Sequence, residues 1–138
     1  MPATESRTGP LRRACGKEGI ALVFLVAPTT GKERIGRIAA ATQGFLYVIS
    51  RLGTTGSGRS PGEELAAQLA LVRRHAQTPV AVGFGISRPE QARTLASQVD
   101  GIIVGSAIVE CASDGPEAVR SYVASLRAAM GQDAEAPA

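Results

Sequence analysis

Three glycine clusters stand directly after apolar, β-branched runs: Gly53, Gly56 and Gly58 follow "GFLYVIS", Gly83 and Gly85 end "PVAVGFG", and Gly105 with Ser106 ends "DGIIVGS". Glycine has no Cβ, so backbone N–H groups at such positions can approach an anion directly. A helix that follows adds unpaired donors and a favourable partial charge. Phosphate is the natural anion for this arrangement. One glycine at a strand end is ordinarily a turn device, so the phosphate reading rests on the recurrence at three strand ends. Phe84, between two glycines, has two readings at this stage: ordinary core, or a ring packing against a flat apolar substrate.

Other chemistry-bearing residues form no constellation. His75, in "LVRRHAQ", falls at a helix C-terminus on the face opposite the glycines, where an imidazole offsets the helix dipole or is solvated. Ser50, Ser57, Ser60 and Ser106 lack a histidine and an acid at triad positions. Glu63 and Glu64 are first-turn helix acids, Asp100 starts a strand on the wrong face, and Glu110 and Asp114 follow the last strand without a second carboxylate. No acid–base pair, and hence no catalytic residue, is assigned within this chain. Cys15 and Cys111 lack C-x-x-C spacing and a nearby His pair, so they read as buried structural thiols, with no metal and no cofactor implied.

The elements that must position the glycines follow from hydrophobic periodicity. Thr8 is the expected cap of a helix opened by Gly9 and Pro10, "TGPLRRACGKEG", with Gly19 as its stop. "IALVFLVAP" is a continuous apolar run of strand length, which predicts burial on both faces as in parallel strands covered by helices. In "TTGKERIGRIAAAT", Ile35, Ile38 and Ala39 or Ala41 share one helical face, leaving Lys32, Glu33 and Arg37 to water. "GFLYVIS" is a second strand, followed by a Gly-, Ser- and Thr-rich loop, "RLGTTGSGRSPG". A helix over "EELAAQLALVRRHAQ", a strand over "PVAVGFGI", a helix over "RPEQARTLASQV", a fourth strand over "DGIIVGSAIVE" and a last helix over "GPEAVRSYVASLRAAM" complete the order.

Four strands alternating with helices predict right-handed β-α-β units and a parallel α/β sheet. In such sheets ligands sit at the carboxyl ends of the strands, which places the three glycine clusters on one rim. The expected organisation is an N-terminal arm over 1–8, one domain over 9–130 and a disordered tail over 131–138.

Composition supports one soluble domain: 138 residues, 44% hydrophobic, with 16 Gly and 8 Pro. The net charge of +3 arises from 15 basic and 12 acidic residues without a block of like charge, and aromatics are only 4% with no Trp. Nucleic acid is therefore not an expected partner. "MPATESRTGP" lacks the apolar core of a signal peptide, and the longest apolar run is too short to cross a bilayer, so the expected location is the cytoplasm.

"GIALVFLVAPTTGKERI", "GFLYVISRLGTTG", "PVAVGFGISRPEQA" and "DGIIVGSAIVE", in this order and spacing, resemble the tryptophan synthase alpha chain family. The resemblance runs from about Pro10 to Arg127 and corresponds to strands five to eight, with their helices, of that family's TIM (β/α)8 barrel. It implies the phosphate-binding half of a lyase that cleaves indole-3-glycerol phosphate, by a retro-aldol step, to indole and glyceraldehyde 3-phosphate. Indole then passes to a beta chain that uses pyridoxal phosphate. By resemblance, Gly56, Gly85, Gly105 and Ser106 cradle the substrate phosphate, Phe84 and Tyr47 lie beside the indole or glycerol moiety, and Thr55 belongs to a loop that closes the site.

The family's two essential carboxylates lie in the first half of the barrel, so the resemblance implies an inactive chain unless that half is supplied. Four strands cannot close a barrel of about 250 residues, and the first and last strands would present apolar edges. A missing N-terminal half-barrel or self-association is the expected cover. A truncated gene, a split gene and an incomplete sequence remain open as origins. Two further functions also stay open: a half-barrel that dimerises and binds phosphate compounds on its own, and another phosphate-binding TIM-barrel enzyme.

Overall fold

The structure, a computed structural model, describes residues 3–50 and 61–131. Ten elements follow in the order α1 (Ala3–Lys17), β1 (Phe24–Val26), α2 (Lys32–Ala41), β2 (Leu46–Ile49), α3 (Pro61–His75), β3 (Val80–Gly83), α4 (Pro89–Leu95), β4 (Gly101–Ile103), α5 (Ser106–Ala112) and α6 (Pro116–Ala129). The strands form one sheet in sequence order, β1-β2-β3-β4, with every pairing parallel. This is the expected α/β alternation, and the sheet is open, with β1 and β4 at its edges.

Strand periodicity divides the sheet into two faces. Leu46, Val48, Val80 and Val82 are fully buried on the helix side together with Val26, against Ile35 and Ala39 of α2 and Leu65, Leu69 and Val72 of α3. Ile86, Leu95 and Val99 extend this core toward α4, and Ala92, Leu126 and Ala129 form a second cluster between α4 and α6. The opposite face carries the register row Leu25, Tyr47, Ala81 and Gly101. Leu25 there is 50% exposed, and Tyr47 and Ala81 are only half-buried.

That exposure corrects the expectation that "IALVFLVAP" is buried on both faces. The strand is also shorter than the apolar run, because side chains take its backbone groups at each end. The N–H of Phe24 donates to Thr42 Oγ1 at 2.9 Å and that of Leu22 to Gln43 Oε1 at 3.0 Å. After Val26, the N–H of Ala27 goes to Thr30 Oγ1 and its carbonyl accepts from Gln68 Nε2 of α3. Pairing stops where these bonds replace the ladder.

Two further boundaries differ from the sequence reading. The expected fourth strand over "DGIIVGSAIVE" is β4 only to Ile103, and Ser106–Ala112 is helical, with the N–H groups of Ile108 and Val109 donating to the Gly105 carbonyl. An apolar run that straddles a strand end and a helix start has no single period, so length alone misplaces the join. At the other end, α1 starts at Ala3 and runs through Pro10, so Thr8 lies inside the helix instead of capping it. Gly19 does stop α1: its φ is 67°, and the N–H of Ile20 reaches back to the Cys15 carbonyl at 2.9 Å in a Schellman closure.

At the amino ends of the strands, Asp100 fixes how β3 meets β4. Its Oδ2 accepts from the Val80 N–H at 2.8 Å and from Arg73 Nη1 at 2.9 Å, while its own N–H donates to the Val80 carbonyl. The hydrogen bond from the Val80 N–H lowers the carboxyl's pKa most, burial opposes it, and Arg73 adds to the lowering, so the carboxyl sits below its ordinary range. His75 stands in the last turn of α3 and is exposed, in keeping with a solvated or dipole-offsetting imidazole, with its ring 3.6 Å from the position a Cβ would take on Gly36 of α2.

Gly83 answers a packing need on the other face. A Cβ there would lie 2.5 Å from Tyr47 Oη, 2.9 Å from Tyr47 Cζ and 3.0 Å from Ile103 Cβ. The Tyr47 phenol therefore lies directly over the Gly83 backbone.

Two measurements check these contacts. Asp100→Asn is expected to lower stability by about 1 kcal/mol at neutral pH. A depressed folded pKa contributes stability above the unfolded value of about 3.9 and loses it as pH falls through the folded value. The gap between parent and variant in urea unfolding should thus shrink toward pH 3, and a constant gap would contradict the assignment. Gly83→Ala should cost about 1–3 kcal/mol by forcing the Tyr47 ring away, and unfolding at the parent midpoint would contradict that packing.

Candidate functional site

Parallel register sends the carboxyl ends of β2, β3 and β4 to one rim. Ile49 pairs with Gly83, and Gly83 with Ile103, so Gly85 and Gly105 each lie two residues beyond a paired position. Ser106 opens α5 next to Gly105, and both are exposed. Gly56 and Thr55, expected in the loop after β2, lie outside the described residues.

The turn after β3 is the most constrained piece of the rim. Phe84 and Gly85 both have φ of 77°, and Phe84 is the one non-glycine residue with positive φ among the described residues. A bulky side chain rarely adopts this left-handed region, so surrounding structure must hold it there. The Phe84 ring itself is 73% exposed, which excludes the core reading left open by the sequence.

Three separate elements supply that support. From the end of β2, Ser50 Oγ donates to the Phe84 carbonyl at 2.7 Å, and the Ser50 N–H donates to the Gly83 carbonyl at 2.9 Å. From α4, Gln91 Nε2 donates to the Gly85 carbonyl at 3.3 Å, while its Oε1 accepts from the N–H groups of Ser87 and Arg88. From α6, Tyr122 Oη donates to the Ser87 carbonyl. Burial, followed by the nearby Cys111 and Glu110, raises the Tyr122 phenol above its ordinary pKa, and because a carbonyl can only accept, the phenol is the donor.

The carbonyls of Phe84, Gly85 and Ser87 are therefore all engaged by side chains. The N–H groups of Phe84 and Gly85 find no acceptor among the described residues. Backbone N–H groups left without an acceptor at a turn can receive an anion, and a turn whose carbonyls are already held is preorganised for it.

Tyr47 comes from β2 on the half-buried face and reaches the same strand end through its contact over Gly83. The structure thus brings Tyr47, Phe84 and Gly85 together around the end of β3 and puts Gly105 and Ser106 on the neighbouring strand end. Ser50, Gln91 and Tyr122 were missed as supports. A signal existed for Ser50: it continues the buried period-two series Leu46, Val48, Ser50 and is itself only 2% exposed, so its hydroxyl needs a fixed partner. Among the described residues, no group of three or more His, Cys, Asp or Glu side chains is placed to hold a metal ion, and no helix is long and apolar enough to cross a membrane.

Comparison with known proteins identifies the family. The family model described as tryptophan synthase alpha chain matches residues 1–137. Among relatives, the tryptophan synthase alpha chain of Geobacillus kaustophilus is 52% identical over 110 residues, covering 80% of this chain and 40% of the relative. That of Opitutus terrae is 42% identical over 131 residues, covering 95% and 48%. Among solved structures, tryptophan synthase from M. tuberculosis superposes with a TM-score of 0.76 at 28% identity, covering 91% of this chain and 46% of that one. The alpha subunit from Campylobacter jejuni gives 0.76 at 28% identity, covering 88% and 50%. The chain spans about half the length of the relatives it matches, and within that span its four β-α units are those of their barrel. With nearly every residue inside the family match, the chain belongs to the tryptophan synthase alpha chain family.

Proposed function

We propose that this chain supplies the phosphate-binding half of a tryptophan synthase alpha barrel, acting on indole-3-glycerol phosphate. The observation that carries the proposal is the Gly-Phe-Gly turn, with its carbonyls tied back and the amides of Phe84 and Gly85 unpaired among the described residues. A phosphate at Gly85, Gly105 and Ser106 accepts from backbone donors at two adjacent strand ends. The indole lies against the exposed Phe84 ring, with Tyr47 beside the substrate. Gly56 and Thr55 complete the cradle and its closing loop in this proposal, although both lie outside the described residues.

The reaction is retro-aldol cleavage to indole and glyceraldehyde 3-phosphate, and its proton transfers need positioned acids and bases. Such groups are each worth about 10² to 10⁴ in rate. In the family resemblance they are a Glu and an Asp of the first barrel half, and no residue of this chain is assigned their role. The open edges at β1 and β4 are where that half would pair. Beside β4, Ile102, Ile103, Val104, Ile108, Val123 and Met130 line a groove of about 480 Å³. In the assembled barrel the partner is a tryptophan synthase beta chain that receives indole, and the location is the cytoplasm.

The same edges favour a second reading, a stand-alone half-barrel that pairs with another copy and binds phosphate compounds through the same rim. Co-expression separates the two. With the amino-terminal half of a family member that carries both carboxylates, this chain should form indole from indole-3-glycerol phosphate, and Gly85→Asp should lower that activity at least tenfold through crowding and charge repulsion. A folded pair without activity would overturn the enzymatic reading. Full activity in Gly85→Asp would remove Gly85 from the site.

A further inference from the structure

We propose that Ser50 is a positioning residue for the phosphate subsite, acting through the Phe84 carbonyl; this rests on the phosphate-binding role given above. Ser50 is 2% exposed, sits at the end of β2 and touches the turn twice, by its N–H to the Gly83 carbonyl and by its hydroxyl to the Phe84 carbonyl at 2.7 Å. The Phe84 carbonyl and the Gly85 N–H belong to one planar peptide group. Holding the carbonyl oxygen toward β2 therefore fixes the direction of the Gly85 N–H on the opposite side of that plane.

The backbone cannot hold this peptide unaided. A left-handed phenylalanine is unfavourable, and its exposed ring contributes little packing to hold it. Gln91 restrains the next carbonyl, and Tyr122 the one two residues further on, but neither touches the Phe84–Gly85 peptide at its oxygen. Without the hydroxyl, that peptide can rotate and turn its N–H away from the ligand. In the sequence Ser50 lacks a histidine and an acid at triad positions, and the geometry gives it the orientation of a neighbouring amide.

The test measures binding of glycerol 3-phosphate to the full 138-residue chain by calorimetry, with circular dichroism as a check on folding. Ser50→Ala is expected to weaken binding about tenfold, in line with one lost hydrogen bond. Ser50→Thr, which keeps the hydroxyl, should stay within about threefold of the parent. Should Ser50→Ala fail to fold, Ser50→Cys retains the size with only a weak donor and is expected to bind several-fold more weakly. Parent-like affinity in the folded Ala or Cys variant would overturn the positioning role, as would equal losses in folded Ala and Thr variants. Absence of binding by the parent chain would instead overturn the phosphate reading, and this inference with it.

Discussion

Parallel pairing in register is the constraint on which the site depends. Because Val48, Val82 and Ile102 stand side by side across three strands, the chain leaves β2, β3 and β4 at one level and in one direction. Of the described residues assigned to ligand binding, Phe84, Gly85, Gly105 and Ser106 lie two to four residues beyond that level, and Tyr47 lies one residue before it. The register is itself anchored at the far end of the strands, where Asp100 bonds the Val80 backbone and Arg73 of α3. The Asp100 anchor and the proposed phosphate site thus occupy opposite ends of the same strands, the arrangement expected for β/α barrels.

The sheet is asymmetric in a second sense. Its helix side holds a dense core of Val, Leu and Ile, while the other side carries Leu25, Tyr47, Ile49 and Ala81 with partial exposure. In a closed barrel that second face is the interior, filled by side chains from all the strands. Four strands fill only part of such an interior, and among the described residues neither β1 nor β4 has a strand on its outer side, an arrangement that invites another strand. The packing of Tyr47 over Gly83 shows how the interior begins to fill from within this chain, and why glycine stands at that position.

Strand order, the parallel sheet and the glycine-bearing rim were legible in the sequence because each depends on local pattern: β-branched runs, helical periodicity and residues without Cβ. The limits of β1 were not, since they depend on Thr42, Gln43, Thr30 and Gln68 capturing backbone groups from other segments. The switch from β4 to α5 was hidden because "IIVGSAIVE" is apolar throughout, and only the turn at Gly105 divides it. Of the site, Gly85, Gly105, Ser106 and Phe84 could be named from the glycine pattern, and Tyr47 from the family likeness. The supports Ser50, Gln91 and Tyr122 could not be assigned without knowing which carbonyls the turn leaves for them.

The central claim is that the amides around Gly85 and Gly105 receive a phosphate. It is tested most directly by adding glycerol 3-phosphate to the ¹⁵N-labelled chain and following its amide resonances. The account predicts saturable shifts largest at Phe84, Gly85, Gly105 and Ser106, with small changes at the opposite end of the strands around Asp100. Shifts confined to other surfaces, or none at millimolar ligand with the fold intact, would contradict it.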